Sequence, residues 1–216
     1  MVKLIVYDLD GTLVNTRRDI AEAANHMRRR MGLGALSEKE IAGYVGLGVQ
    51  RLVENCLGTA DPSRVKEGMD LYRTHYAEHL LDNTALYPGV QEVLDYFRPR
   101  RQAVITNKPS PYSQKILESL GVAPYFSEII AGDSGYPKKP DPDSLMALMI
   151  REGVKGYDTV LVGDSPVDVE TGSRAGVCTV AVTQGFSERG DLEQSKPDHL
   201  IGDFRDLLSL AQKRTW

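Results

Sequence analysis

The sequence predicts an α/β protein: a doubly wound parallel sheet interrupted, after its first strand, by an inserted four-helix unit. Two observations carry that prediction. From Tyr87 onward, short apolar runs alternate with helix-length amphipathic segments, and residues 15–86 break the alternation with helical periodicity and no strand-like run. Alternating strand and helix is the mark of a parallel sheet covered on both faces. The chain has 216 residues, 41% hydrophobic and 26% charged, which excludes a mainly disordered state and is long enough for a sizeable core.

The first strand is Leu4-Ile5-Val6-Tyr7, continuous rather than alternating, as a strand buried on both faces should be. In the insertion, Ile20, Ala24, Met27 and Met31 recur at helical spacing, as do Val65, Met69, Tyr72, Tyr76 and Leu80. Short segments at 38–44 and 49–57 complete four helices, and the Met and Tyr stripes read as helix core. Beyond it the pattern predicts helix 88–97, strand 103–106, helix 111–120, strand 128–131, helix 142–152, strand 159–163, helix 166–175 and strand 178–182, with a weaker strand at 199–201. The expected division is an α/β core from 1–14 and 87–216, and a helical unit from 15–86.

Composition narrows the function. A net charge of −4 argues against nucleic-acid binding through bulk positive charge. No stretch approaches the roughly 18–20 apolar residues of a membrane span. The opening Met1-Val2-Lys3-Leu4-Ile5-Val6-Tyr7-Asp8 does not read as a signal peptide. Cys56 and Cys178, far apart in a long chain, read as free thiols. The expectation is a cytoplasmic protein that engages neither nucleic acid nor membrane.

Four polar clusters follow predicted strands. In Asp8-Leu9-Asp10-Gly11-Thr12-Leu13, residues i and i+2 of an extended chain point the same way, so Asp8 and Asp10 present two carboxylates together. Gly11 permits a tight turn, and the immediate glycine does not fit a calcium loop. Thr106-Asn107-Lys108 offers a hydroxyl and backbone N–H groups to a phosphate, or simply ends a strand before a helix. In Lys138-Lys139-Pro140-Asp141-Pro142, the proline after Lys139 stiffens the segment and aims its ammonium; Lys138 reads as solvated. In Gly163-Asp164-Ser165-Pro166-Val167-Asp168, Asp164 ends a strand, and Ser165, Pro166 and Asp168 form a helix start close to a capping box. Four sites after four strands of one sheet can converge on one crevice.

With these clusters in this order, the chain resembles the haloacid dehalogenase-type phosphatase superfamily. The motifs are Asp8-x-Asp10-Gly11-Thr12, Thr106, Lys139-Pro140, and Gly163-Asp164 followed by Asp168. The insertion resembles that superfamily's helical cap, and the match spans essentially the whole chain. Within the superfamily the chain most resembles the phosphoglycolate phosphatase branch, over 8–14, 45–48, 87–90, 106–109, 139–142 and 163–165. Sugar-phosphate mutases of the superfamily carry a His where this chain has Ile20 and an acid where it has Gly163, and dehalogenases lack the second acid, here Asp10.

The resemblance implies hydrolysis of a small phosphorylated metabolite with Asp8 as nucleophile and Asp10 as acid and base. An ionised carboxylate needs no activating base, and anionic neighbours favour the protonated Asp10 that the first step requires. Four carboxylates against one Lys139 ammonium call for Mg²⁺, with Asp8, the Asp10 carbonyl and Asp164 as ligands and Asp168 nearby or through water. Thr106 and Lys139 would stabilise the phosphoryl oxygens, with Thr12 and Asn107 as further substrate contacts. For the substrate's own carboxylate the candidates are Arg17, Arg18 and Arg51, with Arg51, after the Gly46-Leu47-Gly48 turn, the first choice. Sugar-phosphate, nucleotide or pyrophosphate hydrolysis, and a sugar-phosphate mutase, are the alternatives within the superfamily. A phospho-receiver signalling domain is the non-enzyme alternative, though such domains are shorter and have no helical insertion.

Overall fold

The computed structural model describes residues 2–213; Met1 and residues 214–216, the outer limits of the expected core segments, lie outside the described residues. Six parallel strands form the sheet, in the order β5 (Glu128–Ile130), β4 (Arg101–Ile105), β1 (Leu4–Tyr7), β6 (Thr159–Gly163), β7 (Cys178–Val182) and β8 (His199–Ile201). Tyr7 is in register with Val104 on one side and Val162 on the other, so the ends of β1, β4 and β6 lie level.

Side chains alternate across each strand, and both faces are covered. Ile5, Tyr7, Val104, Val160 and Val162 face the larger core. There they meet Val90 and Val93 of α5 (Val90–Tyr96), Ile116 of α6 (Ser110–Ser119) and Leu207 of α10 (Asp206–Lys213). Leu4, Val6, Ala103, Ile105 and Leu161 face the other way, against Leu145, Leu148 and Met149 of α7 (Asp143–Glu152). On the same face, α8 (Pro166–Ala175) and α9 (Arg189–Ser195) bring Val169 and Leu192 onto Ala181. Each of the valines, leucines and isoleucines contributes about 1.5–3 kcal/mol when fully buried. Burial on both faces is why these strands read as unbroken apolar runs.

The insertion forms α1 (Arg17–Arg30), α2 (Glu38–Ala42), α3 (Val49–Leu57) and α4 (Pro62–His79), with α1 packed on each of the other three. Local chemistry sets the ends. Ser37 and Glu40 form a capping box on α2, and the Asp61 side chain accepts from the Arg64 N–H ahead of Pro62. Gly68 sits inside α4, where glycine is otherwise unfavourable. A Cβ there would come within 2.9 Å of Leu57 and 3.2 Å of the Met27 sulfur, so its absence lets α1, α3 and α4 approach.

One expectation needs correcting. The insertion is not free of strand: β2 (Val14–Asn15) pairs antiparallel with β3 (Ala85–Leu86), fastening the chain's exit from the core to its return. Two residues per strand leave no periodicity to read. Beside this ribbon the buried Asp19 carboxylate accepts from the N–H groups of Asn83 (3.0 Å) and Thr84 (2.8 Å), the Asn83 amide (2.8 Å) and the Thr84 hydroxyl (2.7 Å).

Candidate active site

The chain runs from β1 to β4 and β5 on one side, then crosses to β6 on the other. The crevice at this reversal, beyond the carboxyl ends of the strands, is where open parallel sheets bind ligands. Asp8 follows β1, Thr106 follows β4 and Asp164 follows β6. Gly11 has a φ of 86°, in the left-handed region, and a Cβ on it would fall 2.1 Å from Asp164 Oδ2. Glycine therefore both makes the turn and lets the first and last acidic segments meet.

Lys139 is buried and donates to Asp8 Oδ1 at 2.7 Å and to Asp168 Oδ1 at 2.6 Å. The other Asp168 oxygen accepts from the Ser165 hydroxyl at 2.6 Å and N–H at 3.2 Å, so one side chain starts α8 and anchors the lysine. Asp164 accepts from the Thr12 hydroxyl at 3.1 Å and the Phe186 N–H at 2.7 Å. Asp10 accepts from the Thr16 hydroxyl at 2.7 Å and meets the Lys108 ammonium at 2.9 and 3.1 Å. That ammonium also donates to the Tyr76 hydroxyl of α4 at 2.6 Å, which ties the helical unit to Asp10.

Burial pushes the Asp8 carboxyl up to about 7; Lys139 opposes the shift and Asp168 adds to it. Burial raises Asp164 well above the usual carboxylate range, helped by Asp8 and Asp168. For Lys139, burial works against the ammonium, but Asp168 and Asp8 outweigh it and hold the group above its ordinary value. Carboxylate oxygens of Asp8, Asp164 and Asp168 lie within 4.8 Å of one another. An all-oxygen, buried and under-neutralised donor set fits a hard divalent cation such as Mg²⁺.

A cavity of about 1060 Å³ opens above these groups, between the sheet and the four helices. Asp8, Asp10, Thr106 and Asp164 line it from below; Ile20, Leu52, Tyr72 and Tyr76 line it from the helices.

Of the expected substrate contacts, Thr12 and Arg51 lie off the cavity lining, while Asn107 lines it with its amide engaged elsewhere. Thr12 is fully buried, and its hydroxyl orients Asp164 instead of facing the cavity. The Asn107 amide is committed to a clamp: its nitrogen donates to the carbonyls of Gly46 (2.7 Å) and Lys139 (3.0 Å), and its oxygen accepts from the Lys139 N–H (2.9 Å). Arg51 lies outside the cavity lining, exposed and paired with Glu54 at 2.9 Å, because α3 turns Leu52 and Val53 inward and Arg51 out. Arg18 likewise pairs outside, with Glu22 at 2.8 Å, whereas Arg17 lines the cavity.

The charge balance changes too. Asp10 is not surrounded by negative charge alone, since the buried Lys108 stands against it. Lys108 has no role among the sequence expectations; its place two residues after Thr106, at the carboxyl edge of the sheet, is the signal that points to it.

The family model described as haloacid dehalogenase-like hydrolase matches residues 5–182. A phosphoglycolate phosphatase of Nitrosospira multiformis is 33% identical over 219 residues, spanning 98% of this chain and 96% of that protein. A phosphoglycolate phosphatase of Vibrio parahaemolyticus is 33% identical over 220 residues, spanning 97% and 96%. The crystal structure of a predicted phosphoglycolate phosphatase from Haemophilus somnus 129PT superposes with a TM-score of 0.93 at 31% identity, covering 97% of this chain and 98% of that one.

Proposed function

The chain belongs to the haloacid dehalogenase-like hydrolase family, and we propose that it is a Mg²⁺-dependent phosphatase of 2-phosphoglycolate, working through an aspartyl-phosphate on Asp8. The observation that carries this reading is the junction of Asp8, Lys139 and Asp168 beside Asp164, at the reversal point of the sheet.

In this reading Asp8 attacks phosphorus, and Asp10 gives its proton to the departing alkoxide, releasing glycolate. Asp10 then takes a proton from the water that attacks the acyl phosphate, which frees inorganic phosphate and restores Asp8. Asp8, the Asp10 carbonyl and Asp164, with Asp168 close by or through water, would hold a Mg²⁺ ion, which would supply positive charge to the phosphoryl oxygens. Lys139 holds Asp8 in line and shares that load, and Thr106 faces the same space. Asn107 sets the height of the Lys139 segment and, through Gly46, the position of the helical unit above it. That unit, residues 15–86, acts as a cap that keeps bulk water from the acyl phosphate.

The test is phosphate release from 2-phosphoglycolate, sugar phosphates, nucleotides, pyrophosphate and an aryl phosphate, with Mg²⁺ and with a chelator. Sustained turnover that is highest on 2-phosphoglycolate, lost on chelation and abolished in a folded Asp8→Asn variant is expected. A folded Asp8→Asn protein retaining more than a small percentage of wild-type kcat would sink the nucleophile assignment. Preference for another ester class would replace the substrate, and a stable phospho-protein without turnover would favour the receiver reading.

A further inference from the structure

We propose that Arg17, the first residue of α1, selects substrates that carry a carboxylate a few bonds from the phosphoryl ester. The inference rests on the phosphatase reading of the site and supplies the residue that reading lacks, now that Arg51 faces outward.

Arg17, Lys39, Lys108 and Arg189 are the cations that line the cavity among the described residues. Lys108 is taken by Asp10, Lys39 by Glu188 at 2.9 Å and Arg189 by Glu193 at 2.8 Å. Among the described residues Arg17 pairs with no carboxylate. Its Nη2 donates to the Gly185 carbonyl at 2.5 Å, its guanidinium lies 5.2 Å from the centre of the Phe186 ring, and its buried Nε has no acceptor. Glu188 feels the Arg17 charge, but its carboxyl is held low first by the hydrogen bond to Lys39. Arg17 is therefore a positioned cation with donors to spare, and a guanidinium fork matches a carboxylate in two parallel hydrogen bonds.

Its anchor fixes the size of the ligand. Gly185, which takes Arg17, sits so close to Asp164 that a Cβ on it would fall 2.2 Å from Asp164 Oδ2. Phe186, which carries the guanidinium on its ring, donates its N–H to the same Asp164 oxygen at 2.7 Å. Consecutive residues thus hold the cation and a carboxylate of the candidate metal cluster, so the two anionic ends of a substrate bridging them must be close together. On the other side, Arg17 follows Thr16, whose hydroxyl holds Asp10. A carboxylate seated on Arg17 is then tied to both halves of the site, and its binding energy can orient the ester.

The experiment measures kcat/KM with Mg²⁺ for 2-phosphoglycolate and for ethyl phosphate, which has the ester and no carboxylate, in wild type, Arg17→Gln, Arg17→Lys and Arg18→Ala. Arg17→Gln keeps an amide on a stem over Phe186 while removing the charge. Losing a charge-assisted carboxylate contact is expected to cost 2-phosphoglycolate roughly ten- to a hundredfold more than ethyl phosphate. Arg17→Lys should recover part of that selectivity through KM. Arg18→Ala should match wild type on both esters. Equal losses on the two esters in Arg17→Gln, or no loss on either, overturn the inference. Wild type that turns over both esters equally well overturns it while leaving the phosphatase reading intact. Wild type that turns over neither ester overturns both the inference and the 2-phosphoglycolate assignment, and release of phosphate from another ester class in the same protein would show that the phosphatase chemistry survives.

Discussion

Lys108 shows what a residue's neighbours add to its place in the chain. Asp8, Asp10 and Asp164 are legible because strand ends and i, i+2 spacing fix where those side chains lie, Lys139 because Pro140 stiffens its segment, and Asp168 because it falls in a capping-box helix start. Lys108 is not, because a loop residue's direction is set by what packs over it, here Tyr76 from an element far away in sequence. Arg51 failed for the opposite reason: its pairing with Glu54 follows ordinary i, i+3 helical spacing and was readable. With Asp10 held by Lys108 and Thr16, Lys108→Met leaves a part-buried carboxylate short of its cation. A charge-assisted hydrogen bond is worth about 1.5–3 kcal/mol, so kcat should fall roughly ten- to a hundredfold with a smaller change in KM. Tyr76→Phe removes only the neutral hydroxyl and should retain most of kcat. Steady-state kinetics on an aryl phosphate decide it; a Lys108→Met enzyme as fast as wild type would leave Lys108 a packing residue.

Among the elements, the four-helix unit hangs on a short ribbon and one carboxylate. Asp19 is 1% exposed and collects the N–H groups of Asn83 and Thr84, so Asp19→Ala strands several donors where water is scarce. Unsatisfied buried donors cost about 1–3 kcal/mol each, and the variant should lose about 3 kcal/mol in urea unfolding with an unchanged m value. A loss under about 1 kcal/mol would mean that the ribbon holds the unit without Asp19. A second sensitivity lies between α1 and α4, where the His26 and His75 rings are 4.2 Å apart and those of His75 and His79 are 4.3 Å apart. Burial lowers His26, with Arg29, Arg30 and His79 adding to it. Burial likewise lowers His75, with His26, His79 and Arg29 adding and Glu22 opposing. Folded pKa values below the unfolded one mean that the unfolded chain binds protons first. The stability these rings contribute is therefore complete above about pH 6.5 and is lost as pH falls below it. Thermal melts should show a smaller drop in Tm from neutral to acid pH for His75→Phe than for wild type; identical pH profiles would remove the histidines from the account. Neither feature is readable from sequence: Asp19 depends on where the segment after α4 passes α1, and the histidines on which turns of α1 and α4 meet.

At the scale of the whole molecule, the doubly wound core was legible because its strands are buried on both faces and its helices are long enough to show a period. The elements that escaped were the two-residue strands of the ribbon and the short α9 and α10; α9 offers a single buried apolar residue, Leu192. The same geometry that made the fold readable creates its main electrostatic cost. Level ends of β1 and β6 bring Asp8 and Asp164 together; burial raises both carboxyls, with Asp168 and Asp10 adding to Asp8, and Asp8 and Asp168 adding to Asp164. The fold is thus strained at the site, and a divalent cation that relieves the strain should stabilise the entire chain by mass action. At a Mg²⁺ concentration a hundred times its Kd the gain is about 2.7 kcal/mol, which raises Tm by about 5–10 °C for a chain of this size. Asp164→Asn should reverse the order. Its neutral amide removes one buried charge, so in chelator the variant should melt at or above the wild-type Tm. In saturating Mg²⁺ it should melt below wild type, because it gains little from the ion. Calorimetry on both proteins, with and without Mg²⁺, reads this crossing directly and needs no substrate. Equal Mg²⁺ shifts in the two would place the stabilising ion away from Asp164, and a variant less stable than wild type in chelator would show that the hydrogen bonds from Thr12 and Phe186 outweigh the repulsion.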